Sequence, residues 1–322
     1  MRVCRKANLM KTSFRLAAAI AIVAIASCKK DYNNIVTPAS PTGISSLQAF
    51  YDAHKPQPVT FTVDAATGGT YTTTQGTMIM VPANAFQTQS GGPVSGNVTI
   101  EFLDLYRKSD MLYCDKSTVL YYGPMLKSAG EFYIKATQNS QAVLMAPGQQ
   151  IDVQQPLANA QLDTAMQAFG GLDSAGFAWA PNPNMSVLWN QSGYLFSLYQ
   201  FNSPADSGSW CNSDNSSYFN AYPQTTLTLH PNDDPAEYET DVFLVFSGIN
   251  SMVHVYRGYQ VNDFPYNYAP TGLSCTVVAI GEKDGQLYAS FTPITIGNNQ
   301  TVNFSLSSIS ETDFQTQLTA LN

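Results

Sequence analysis

The chain has 322 residues, 44% of them hydrophobic and only 12% charged, with 15 Lys and Arg against 23 Asp and Glu. Hydrophobic content at that level excludes global disorder, and the charged share is about half the ~25% usual for soluble proteins. Five of the basic residues fall in the first 27 positions, which hold no acid, leaving 10 basic against 23 acidic residues. A field of that sign repels phosphate and argues against nucleic acid or anionic lipid surfaces as electrostatic partners.

The basic set Arg2, Arg5, Lys6, Lys11 and Arg15 precedes an apolar run from Leu16 to Ala26. Eleven residues cannot span a bilayer, which takes about 20, so residues 1–27 read as a secretory signal peptide. The signal ends Ile25-Ala26-Ser27-Cys28, which resembles the bacterial lipobox. That resemblance implies lipidation of Cys28 and a chain anchored to a membrane without crossing it. Lys29-Lys30-Asp31 resembles the charged signal that sends Bacteroidetes lipoproteins to the surface. An outer-membrane lipoprotein facing outward is therefore expected. Cys114, Cys211 and Cys275 cannot all pair, lack CxxC spacing, and read as small buried residues.

Residues 28–58, with Pro38, Pro41 and Gly43, read as a flexible tether, with a mean reach of ~20 Å over its first 15 residues. A brief helix is placed at Leu47, Phe50 and Tyr51 by their i, i+3, i+4 spacing. From Val59 the period becomes two. Val98, Ile100 and Phe102 share one face, and Phe132 and Ile134 repeat the pattern within Glu131–Lys135. This is the signature of half-buried antiparallel strands. Pro82 closes a strand at 78–81, and Gly91-Gly92-Pro93 supplies a turn.

Gly68-Gly69, Gly76-Thr77, Ile79, Val81-Pro82-Ala83, Ala85-Phe86, Val98 and Ile100 together resemble the ZU5 family over residues 60 to 153. The resemblance implies a β-sandwich that binds proteins. Some members cleave themselves at a His-Phe-Ser site, a tripeptide this sequence lacks.

Leu162, Met166 and Phe169 recur at helical spacing before Gly170-Gly171, predicting a short linker helix over 158–169. After Pro181–Asn184 the β pattern returns. Residues 241–246 are apolar on both faces and read as a central strand, while Lys283-Asp284-Gly285 marks a hairpin. Ser310 with Asp313 forms a capping box that opens a C-terminal helix carrying Phe314, Leu318 and Leu321. The expected architecture is all-β: a ZU5-like sandwich at 59–156, a linker helix and loop at 157–180, and a second antiparallel sandwich at 181–322 with a C-terminal helix.

No HExxH, GxSxG, P-loop or GxGxxG occurs, and no metal or cofactor is expected. His54, His230 and His254 read as surface residues, with His254 facing away from Val253 and Val255. The acidic run 232–241 offers oxygen donors for calcium but no EF-hand spacing, and reads as a solvated turn. Two aromatic-polar runs carry the candidate ligand-binding residues. Trp210, Tyr218 and Tyr222 form one; Tyr256, Tyr259, Phe264, Tyr266 and Tyr268 form the other. Their rings suit stacking on a sugar or a protein hot spot, or else fill the core. The expected function is non-catalytic: binding or adhesion to an extracellular glycan or protein, with the membrane contacted through the lipid. The alternatives are a carboxylate-based polysaccharide hydrolase, which leaves no local signature, and a fimbria-like subunit. Against the fibre, no Arg lies between Cys28 and Tyr106 for maturation to cleave.

Overall fold

The computed structural model describes residues 43–322 except 122, 158–160, 174–176, 202–207, 235–237 and 259–260. The predicted signal peptide, Cys28 and the start of the predicted tether lie outside these residues. Helix α1 (Leu47–His54) comes first, its N-terminus capped by Ser46, whose Oγ accepts from Ala49 N. Nine strands and a second helix follow: β1 (Val59–Asp64), β2 (Gly69–Thr72), β3 (Met78–Val81), β4 (Phe86–Gln87), β5 (Asn97–Leu105), α2 (Lys108–Tyr113), β6 (Lys127–Gln138), β7 (Gln141–Ala142), β8 (Leu144–Met145) and β9 (Ile151–Gln155). Then come β10 (Gln167–Asp173), β11 (Phe177–Pro181), β12 (Met185–Asn190), β13 (Gly193–Leu198) and β14 (Gly208–Asn215). The rest is β15 (Gln224–Pro231), β16 (Glu239–Phe246), β17 (Met252–Val255), β18 (Phe264–Pro270), β19 (Ser274–Lys283), β20 (Gln286–Thr295), β21 (Gln300–Phe304), β22 (Ser307–Ser308) and α3 (Glu311–Thr319).

The first sandwich packs a seven-stranded sheet, ordered β1-β5-β6-β14-β10-β11 with β7 beside β6, on a five-stranded sheet ordered β12-β13-β9-β3-β2. Its core joins the alternating residues Val98, Ile100, Phe102, Phe132 and Ile134 of one sheet to Ile79, Val81, Val153 and Phe196 of the other. Gly68 turns β1 into β2 at φ 69, where any Cβ would strike the carbonyl of Val81.

Two boundaries differ from the sequence reading. Residues 167–173 are strand, not the end of a linker helix, and 161–166 form turns; the start of that predicted helix lies outside the described residues. Phe169 is a strand residue on the outer face of the sheet, packed with Phe177 and Trp179. The first sandwich also does not end at 156. β14 pairs with both β6 and β10, and β13 pairs with β9, so the chain to residue 215 belongs to it. Pairing over so many residues in between leaves no local trace.

The second sandwich sets β18-β15-β21 against β17-β16-β19-β20-β22. All these strands pair antiparallel except β15 and β21, which run parallel. Leu227, Leu229, Phe264 and Phe304 meet Val242, Leu244 and Val277 between the sheets. The far face of the five-stranded sheet, with Phe243, Val245, Val278 and Ile280, is covered by Leu47 and Phe50 of α1, Met111 and Leu112 of α2, and Phe314 and Leu318 of α3. Burial on both faces explains the uninterrupted apolar run of β16. Residues 47–54, expected within a flexible tether, are therefore packed, with Leu47 and Phe50 each 1% exposed. The β19–β20 hairpin turns at Asp284 and Gly285, both at positive φ as a type I′ turn requires. At α3, Ser310 Oγ accepts from Asp313 N and donates to Asp313 Oδ2, so the expected serine cap forms, with the Asp313 carboxylate bonded to the hydroxyl.

Thr42–Asn322 form one compact unit, and the segment between α2 and β6 is what joins the sandwiches. On one side Thr118 N donates to Met252 O at 2.9 Å, and His254 N donates to Ser117 Oγ at 2.7 Å. On the other, Trp179 N donates to Val119 O and Trp179 Nε1 to Ser117 O, both at 2.9 Å.

Candidate functional site

A cavity of about 690 Å³ lies at the seam of the two sandwiches. Tyr106, Arg107 and Lys108, at the start of α2, form one wall; Lys127, Asp163 and Tyr194 form another; Gly248 to Asn250, in the β16–β17 turn, close it. Its volume falls in the range of small-ligand sites, which favour such junctions. Three of the eight Lys and Arg that follow residue 43 line it, against the single side-chain carboxylate of Asp163.

Each cation is held differently. Lys127 Nζ pairs with Asp163 Oδ2 at 2.9 Å, and Asn215 Nδ2 donates to the same carboxylate at 3.1 Å. Lys108 is 4% exposed, and its Nζ donates to the carbonyls of Phe246 at 2.6 Å and Ile249 at 3.4 Å, with no carboxylate partner. Burial pulls its pKa down to about 8. Arg107 is exposed at the rim. Asn250 Nδ2 is sealed from solvent without an acceptor, a costly state for a donor.

The sequence-predicted aromatic residues do not assemble into one surface. Phe264 and Tyr266 are core residues at 2% and 8% exposure, which corrects their reading as ligand contacts; both point between the sheets of the second sandwich. Tyr266 Oη donates to Gly123 O at 3.0 Å. Tyr222 and Tyr268 are half-buried against the same core. Trp210 is half-buried at the seam, beside Tyr133 and Phe177 and under the Lys116 ammonium. Tyr259 lies outside the described residues. Tyr256 is 53% exposed and stacks on His254 with ring centroids 4.3 Å apart. Tyr218 touches the cavity wall, its ring 4.7 Å from Lys127 Nζ.

Sequence reasoning missed two buried polar clusters beside the seam. His254 faces away from the valines as expected, yet its side chain is only 9% exposed, because α1 and residue 115 cover that face. It lies between Phe243 and Tyr256, with Nδ1 2.8 Å from Asp115 Oδ1 and Nε2 3.3 Å from Asp241 Oδ1. Tyr51 Oη donates to the other Asp241 oxygen at 2.8 Å. Burial opposes the imidazolium, but the hydrogen bonds and charges of Asp115 and Asp241 outweigh it and hold the pKa at about 9. His54 is likewise largely buried, its side chain 16% exposed, with Nε2 3.1 Å from Glu311; His230 is half-exposed and faces Asp263 at 2.6 Å.

The second cluster is Glu131 on β6 and Asp214 on β14, both 0% exposed. Asn212 Nδ2 donates to Asp214 Oδ2 at 2.6 Å and lies 3.4 Å from Glu131 Oε1. One oxygen of each carboxyl has no partner. Burial drives both toward the protonated form, and the Asp214 charge pushes Glu131 further. Alternation placed Glu131 on the solvent face, which the segment joining the sandwiches covers.

Two acids of 232–241 serve the fold: Asp233 Oδ2 accepts from Leu306 N, and Glu239 Oε2 accepts from Leu47 N, each at 3.0 Å. Among the described residues no three His, Cys, Asp or Glu side chains converge as a metal site. Cys211 and Cys275 are buried, Cys114 is half-buried, and all three are free thiols. No helix among the described residues is long and apolar enough to cross a membrane. No protein-family model matches the chain, and no curated protein matches it.

Proposed function

We propose that this chain is a lipid-anchored, outward-facing surface protein that binds an extracellular glycan or protein without transforming it. The observation that carries the reading is the seam cavity, a concave site whose walls come from both sandwiches and combine cations, amides and tyrosines. The lipobox-like Ile25-Ala26-Ser27-Cys28 supplies the anchor, and the lysines after it fit display at the cell surface. A ZU5-like N-terminal sandwich is part of the same proposal and fits a binding role. A hydrolase using Glu131 and Asp214 is disfavoured, because neither carboxyl reaches solvent and no substrate could meet them.

Two experiments test the proposal. Cys28→Ser should move the protein from the membrane to the soluble fraction, since acyl chains supply about 0.8 kcal/mol per buried CH₂; persistence in the membrane would refute the anchor. The purified full chain carrying Cys28→Ser should bind members of a glycan array or a panel of extracellular proteins. Cleavage of a polysaccharide, in place of retention, would replace binding with catalysis.

A further inference from the structure

We infer that the seam cavity is a receptor for an acidic sugar, a saccharide bearing a carboxylate or sulfate, gripped between Arg107 and Lys127 in the field of the buried Lys108 ammonium. The inference deepens the binding function proposed above and rests on it.

The first argument is concentration of charge. The chain is acidic and carries few cations, yet three of them gather round one cavity whose lining holds a single side-chain carboxylate. Chance placement on a surface with more than twice as many acids as bases would put carboxylates among them. The second argument is incomplete satisfaction. Lys108 has three N–H donors and two carbonyl acceptors. The ammonium lies behind the cavity wall, 4% exposed and without a carboxylate, so its positive field reaches the cavity, and an anionic oxygen held by Arg107 and Lys127 would offset it. The third argument concerns what surrounds the charge. Thr74, Gln75 and Gln161 contribute a hydroxyl and amides to the lining beside Pro156, Leu157 and Met166, a mixed wall that suits both the hydroxyls and the apolar ring face of a sugar. Arg107 at the rim supplies a planar fork for a carboxylate or sulfate.

The test uses the full chain carrying Cys28→Ser and titration calorimetry with glucuronate, glucose 6-sulfate and neutral glucose. The acidic sugars should bind saturably and glucose at least tenfold more weakly, with affinity falling as salt is raised. Carboxylate and sulfate arms show which acid is preferred. Arg107→Gln, at an exposed position, and Lys127→Gln should each weaken acidic-sugar binding about tenfold while the melting temperature of Arg107→Gln stays unchanged. Equal binding of glucose and the acidic sugars, or undiminished binding by both variants, overturns the inference. An array in which only neutral glycans or an acidic protein bind overturns it too, but leaves the surface-binding function standing. Silence of every glycan and protein probe refutes both.

Discussion

Two neighbouring residues of the segment that joins the sandwiches face opposite electrostatic solutions. Asp115 reaches into a cluster where His254 is charged and held by two carboxylates. Lys116 lies over the rings of Phe177 and Trp210, next to a cluster where Glu131 and Asp214 have no ion pair among the described residues. One cluster keeps its charge by supplying partners; the other gives up charge by taking protons. The comparison teaches that these two clusters settle buried charge in opposite ways, one by pairing and one by protonation.

Removing His254 should break the contrast most severely. His254→Ala leaves Asp115 and Asp241 facing each other across a cavity between Phe243 and Tyr256, and should cost about 3 kcal/mol in urea unfolding at pH 7. The pH dependence comes next. The folded pKa of His254, about 9, exceeds its ordinary value of 6.5, so its contribution is complete below pH 6.5 and fades as pH rises through 9. Chemical denaturation should record a loss of order 3 kcal/mol across that window, absent in His254→Gln.

Trp179→Phe tests the wall between the clusters. It removes the indole N–H that bonds Ser117 O and helps hold Glu131, and should cost about 1–2 kcal/mol. Glu131→Gln should have the smallest effect, within about 1 kcal/mol of the parent near pH 4, where the carboxyl is largely neutral in folded and unfolded chains alike. The raised carboxyl contributes stability at acid pH that is lost as pH climbs above the ordinary carboxylate range. The variant should therefore show a flatter profile above pH 4. A large loss at neutral pH in Glu131→Gln would mean that the carboxylate is ionised and paired, and the contrast would collapse.

Much of the fold was legible where the signal is local. Alternation placed β5 and β6, the Asp284-Gly285 pair placed a hairpin, and Ser310 with Asp313 placed the start of α3. The spacing of Leu47, Phe50 and Tyr51 found α1, though not its burial beneath β16 and α3. What stayed hidden depends on distant pairing. Leu162, Met166 and Phe169 fit a helical stripe, yet β14 claims 167–170 as a neighbouring strand. Glu131 and His254 were assigned the correct faces and the wrong solvent, since alternation tells which way a side chain points and not what covers it. The seam cavity left no motif, as Arg107 and Lys108 meet Asn250 only after both sandwiches close.

The position of β14 between β6 and β10 also has a bearing on time. During synthesis the chain emerges from its N-terminal end, so β6 waits for a partner that follows some seventy positions later. α1 waits longer still, for Phe314, whose ring lies 5.5 Å from that of Phe50. Contacts so far apart along the chain slow the search for the native arrangement and prolong exposure of unpaired strand edges. A chain arrested before residue 215 would present β6 with a bare edge, the form most prone to join another copy of itself.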